Sequence, residues 1–117
     1  MREILLYHLE SGRCPVEEFL DTLTDKQFEK VSFVLDLIEQ LVIIPQEYFK
    51  KLKGSDDIFE VRVQHGNNIF RLLGFFEAKN IVILNHAFTK KTQKNPAREI
   101  NIAEKRKREY LKEGGLL

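Results

Sequence analysis

The chain has 117 residues, 43% hydrophobic and 32% charged, with a formal net charge of +1. That balance excludes a disordered segment, and the length suits one globular domain over 1–117. No apolar run reaches the ~20 residues of a membrane span, the charged start "MREILLYHLE" does not read as a signal peptide, and a lone Cys14 allows no internal disulfide, so a reducing cytoplasm is the expected compartment.

In chain order, "REILLYH" (2–8) is rich in strand formers and "ESGRCP" marks a turn. "VEEFLDTL" carries apolar residues at one-face helical spacing behind Pro15, which suits a first helical position. "TDKQ" has the form of a capping box, with Thr24 as cap and Gln27 reaching back, and opens a second helix over 25–41. Pro45 enforces its end. "QEYFKKLKGSDD" (46–57) reads as a basic loop, and "IFEVRVQ", "IFRLLGFF" and "IVILNHAF" follow as strands with hairpin-length separators. Asn95 and Pro96 suit the cap and first turn of a last helix that stops at Gly114-Gly115. The predicted order is β-α-α-β-β-β-α. It describes an α+β fold in which two N-terminal helices cover one face of an antiparallel sheet and a C-terminal helix completes the chain.

Charge is unevenly spread. Residues 1–85 carry 10 basic and 14 acidic side chains, whereas residues 86–117 carry 9 basic and 4 acidic. Strand register sharpens this. A two-residue turn at Gly66-Asn67 sets Arg62 opposite Arg71, and a turn over "EAKN" sets His86 opposite Arg71, with Glu60 beside them. The expected row of Arg62, Arg71 and His86 faces solvent, away from the helices. Like charges directly opposite in a sheet destabilise it by up to about 1 kcal/mol, so either Glu60 neutralises one arginine or the row holds an anion. Lys50, Lys51 and Lys53 precede the row and Lys90, Lys91 and Lys94 follow it, which forms a basic trough suited to a nucleic-acid backbone. Such a set also fits phosphodiester cleavage without a metal or other cofactor. Arginines would stabilise the developing charge, His86 would act as general acid, and Glu60 or Lys53 would act as base. On this reading Arg71→Ala abolishes activity and leaves the fold largely intact.

The segments "YFKKLKGSDDIFEVRV", "IFRLLGFF" and "IVILNHAFTKKTQKNPAREINIAEKRKREYL" resemble the RelE/HigB group of bacterial type II toxins, in its HigB-like, phage-derived branch. "KKTQKNP" is the most specific element, and "PVEEFLDTL" resembles the branch's first helix. The resemblance implies helices on one side of an antiparallel sheet. It implies a toxin that enters the ribosomal A site and cuts mRNA there, held inactive by a cognate antitoxin. It maps phosphate gripping onto Arg71, the basic loop onto Lys51 and Lys53, and the basic junction onto Lys90 or Lys91. The C-terminus "EGGLL" lacks the terminal tyrosine or histidine of several relatives, and Tyr110 is the only aromatic of the last helix. Two rival readings are a ParE-like toxin that inhibits DNA gyrase without cleaving RNA and a phage-derived nucleic-acid-binding domain.

Overall fold

The computed structural model describes residues 1–90 and 96–114. Along them run β1 (Glu3–Leu6), α1 (Pro15–Leu20), α2 (Asp25–Gln40), β2 (Phe49–Lys51), β3 (Phe59–His65), β4 (Asn68–Ala78), β5 (Ile81–Thr89) and α3 (Ala97–Lys112). The α+β order holds, with one strand more than expected. β2 lies inside the stretch read as a loop, because three residues are too few to show alternation. Pairing makes it a strand: Phe49 lies opposite Val61 and Lys51 opposite Phe59.

The five strands lie in the order β1-β5-β4-β3-β2. β2 to β5 form an antiparallel meander, whereas β1 runs parallel to β5, so the sheet is mixed. α1 and α2 carry the chain from one edge of this sheet to the other. α1 starts at Pro15. α2 starts with the expected capping box, in which the Gln27 N–H donates to Thr24 Oγ1 at 3.2 Å and the Thr24 N–H donates to Gln27 Oε1 at 2.9 Å. Pro96 takes the N-cap position of α3, and the expected cap Asn95 lies outside the described residues.

Val16, Val31, Val34 and Ile38 of the N-terminal helices pack on Val61, Val63, Phe70, Leu72, Val82 and Leu84. Alternation sends Leu73, Phe75 and Ile83 to the reverse face, where α3 supplies Ile100, Ala103 and Tyr110. The helices therefore lie on both sides of the sheet, not on one. β4 explains why: its run "IFRLLGFF" is apolar on both faces, as expected of a strand covered from both sides. Tyr110 turns inward while its neighbour Leu111 stays half exposed.

The β3–β4 turn has Gly66 at φ +60 in its first central position, which a type II′ hairpin requires, and fixes His65 opposite Asn68. The β4–β5 ladder is less regular. Leu73 pairs with His86 but Gly74 pairs with Leu84, so Asn85 is an extra residue and the strand bulges there. Leu84 points to the α1/α2 core, whereas Asn85 and His86 both reach α3. Among the described residues, no helix is long and apolar enough to cross a membrane.

Candidate functional site

The reverse face of the sheet, partly roofed by α3, holds Glu60, Arg62, Arg71 and His86. Arg62 does lie opposite Arg71. The solvent-facing row does not form. Arg71 is 8% exposed and Glu60 2% exposed, on a face where Leu52, Ile58, Ile100 and Ala103 pack against the neighbouring Leu73 and Phe88. Glu60 accepts a charge-assisted hydrogen bond from Arg71 Nε, so the like-charge clash is relieved from within. Two buried charges are tolerable only when paired in this way.

Arg71 is held on a second side as well. Its guanidinium carbon lies 5.4 Å from the centre of the Phe88 ring, the residue directly across the ladder. Burial lowers its pKa from the ordinary value, but a guanidinium stays protonated at any physiological pH. Its terminal nitrogens make no hydrogen bond among the described residues, and the side chain keeps a tenth of its surface. One edge of the fork is thus clamped, and the other meets no acceptor among the described residues.

His86 stands opposite Leu73, not Arg71, which faces Phe88 instead. The turn lies at Lys79-Asn80, with Ala78 paired to Ile81, one residue beyond the placement that would align His86 with Arg71. One residue of turn shift moves every partner by two. His86 remains on the same face, stacked on Phe88 at 5.6 Å between ring centres. Phe88 therefore touches both Arg71 and His86.

The imidazole has two partners that sequence reasoning missed. Nε2 lies 2.7 Å from Glu99 Oε1, and Nδ1 lies 3.3 Å from Arg106 Nη1, which also donates to the Asn85 carbonyl at 2.7 Å. An arginine can only donate, so the consistent tautomer of a neutral ring carries its proton on Nε2 and accepts at Nδ1. Burial pushes the His86 pKa below its ordinary value of 6.5 and the Arg106 charge lowers it further, while Glu99 raises it. A histidine neutral in the fold but free to ionise when unfolded costs stability as pH falls below the unfolded value and until it reaches the folded one. Urea midpoints should therefore drop between pH 7.5 and 5.5, and His86→Gln should flatten that drop. An equal slope in the variant would assign the acid sensitivity to other groups.

The lysines take several positions. Lys50 is exposed opposite Glu60, and Lys53 is exposed in the turn after β2. Lys51 is 2.6 Å from Asp57 and so is partly neutralised. Lys90 is half-buried just after β5, its N–H donating to the Ile69 carbonyl. Lys91 and Lys94 lie outside the described residues. Among the described residues, no three histidine, cysteine or acidic side chains are grouped to hold a metal ion.

Glu99 and Arg106 are seven residues apart, two helical turns, with Ala103 between them on the face that meets the sheet. That spacing was readable. A glycine inside the β4 run is likewise a signal of a bulge or close backbone approach, and it was the clue to the bulge at Asn85.

A family model described as phage-derived protein Gp49-like (DUF891) matches residues 18–108, more than three quarters of the chain. The chain belongs to the Gp49-like family. No significant match is found among curated proteins. The match runs from α1 to within α3, so every site residue described above lies within the Gp49-like region. Chemically, this Gp49-like site offers one half-clamped guanidinium, one neutral imidazole backed by a carboxylate, and exposed cations around them.

Proposed function

We propose that this Gp49-like protein is the toxin of a type II toxin–antitoxin pair of the RelE/HigB kind, an endoribonuclease that cuts mRNA on the ribosome. Family membership supports the class. The observation that carries the chemistry is Arg71: Glu60 and Phe88 fix one side of its guanidinium and leave the terminal nitrogens without a partner among the described residues. A guanidinium held in this way is matched to phosphate oxygens.

In the proposed reaction the RNA 2′-hydroxyl loses its proton to a base and its oxygen attacks the adjacent phosphorus. The bond to the 5′-oxygen breaks, that oxygen takes a proton, and the products are a 2′,3′-cyclic phosphate and a 5′-hydroxyl. Arg71 stabilises the charge that gathers on the non-bridging oxygens. Glu60 is already committed to Arg71, so its role is to position that arginine and not to remove a proton. Glu99 keeps a quarter of its side chain exposed and has His86 Nε2–H behind it, which suits it as the base. Lys53, in no ion pair among the described residues, supplies the proton to the leaving oxygen. Lys50 and Lys90, with Lys91 and Lys94, hold the flanking backbone, and a cognate antitoxin masks the toxin.

The test is to induce the protein in cells and map transcript 5′ ends within minutes. New 5′-hydroxyl ends inside translated reading frames are expected. Intact message with an early loss of DNA supercoiling would replace this reading with the gyrase-directed one.

A further inference from the structure

A second polar site lies at the open edge of the sheet. β2 pairs with β3 only as far as Val61, and the Arg62 N–H makes the last contact, donating to the Tyr48 carbonyl at 2.9 Å. Strand alternation then points the Gln64 N–H and C=O outward along the same edge, beyond the end of β2. Here a pocket of about 280 Å³ is lined by Lys30, Glu47, Tyr48, Arg62 and Gln64. It contains two cations and a carboxylate, yet none of the three forms a salt bridge among the described residues. Charged groups of both signs that converge without pairing are arranged for a ligand carrying both donors and acceptors. The size is below the ~300–1,000 Å³ of drug-sized sites and suits one planar ring.

We infer that this pocket binds a guanine nucleotide of the RNA, read by its donor–acceptor edge. Guanine is the base that presents two adjacent donors, N1–H and the N2 amine, beside the acceptors O6 and N7. Glu47 accepts from the two donors, while Arg62 and Gln64 donate to the acceptors. Tyr48 supplies an aromatic surface for stacking, and Lys30 takes the phosphate. Adenine has no such pair of donors and leaves Glu47 half used. The position deepens the ribonuclease reading, and its phosphate step rests on that reading. Arg62 and Arg71 face each other across the ladder as a non-hydrogen-bonded pair, with Cα atoms about 4.5 Å apart in such pairs. A guanine bound at Arg62 thus sets a neighbouring phosphate at Arg71.

The test is equilibrium binding to the purified full chain, followed by amide shifts in NMR, with 5′-GMP, 5′-AMP, 5′-CMP and inorganic phosphate as separate probes. GMP should shift the Gln64 amide and bind about tenfold or more tighter than AMP. Glu47→Gln should erase most of that preference while leaving AMP binding unchanged, and Tyr48→Ala should weaken all three nucleotides. Equal affinity for GMP and AMP, binding no tighter than phosphate, or shifts that miss Gln64 would each overturn the inference. Transcript cleavage without GMP preference leaves the ribonuclease reading intact and removes this one. GMP preference without cleavage does the reverse.

Discussion

Arg71→Ala should lose about 3–5 kcal/mol of stability, because it strands the Glu60 carboxylate, 2% exposed, without its partner. That is a large share of the ~5–15 kcal/mol a domain possesses, so loss of activity in this variant says nothing about chemistry. The expectation of an intact fold rested on an exposed arginine, and burial reverses it. The informative variant removes both charges. Glu60→Leu with Arg71→Met fills the same space with apolar side chains, and such replacements of buried ion pairs are often neutral or stabilising. The double variant should melt at or above the wild-type temperature and yet leave transcripts uncut. If it is folded and still cuts, Arg71 does not grip the phosphate. If it is as unstable as the single variant, Glu60 has a structural partner besides Arg71.

Gly74→Ala should be at least as damaging, with a loss above about 4 kcal/mol or no folded protein at all. A Cβ at this position would overlap the Ile83 carbonyl oxygen and come within 2.9 Å of the Ile83 carbonyl carbon and the Leu84 Cα. These are backbone atoms of the adjoining strand and cannot swing aside as a side chain would. The only relief is to straighten the bulge, which would return Asn85 or His86 to the wrong face. Far-ultraviolet circular dichroism and urea unfolding of the variant measure the effect. A change below about 1 kcal/mol would mean that the bulge can relax without cost, since surface substitutions fall in that range.

What could be read from the sequence followed from local rules with one solution. "TDKQ" could cap only one helix, and Gly66-Asn67 left one register, so the Arg62–Arg71 pairing followed from turn geometry alone. The site was harder to read where two local solutions were close in energy. "EAKN" admits turns one residue apart, and the irregularity between Phe76 and Ala78 accommodates the one adopted. Burial of Arg71 was hidden because its neighbours Glu60 and Phe88 come from two other strands, and helical periodicity does not say which sheet face α3 will choose. The apolar side chains on both faces of β4 were the available clue. Glu99 and Arg106 went unnoticed for the same reason.

The parallel pairing of β1 with β5 sets Glu3 beside Ile81, and Ile100, Ala103 and Tyr110 close the reverse face later still. β1 must therefore wait for β5 before it can pair, and the α3 side chains that cover Leu73 and Phe75 come further along the chain. A nascent chain halted before α3 has neither Glu99 nor Arg106 beside His86. Chain order alone thus keeps the His86 site from assembling until α3 has followed β5.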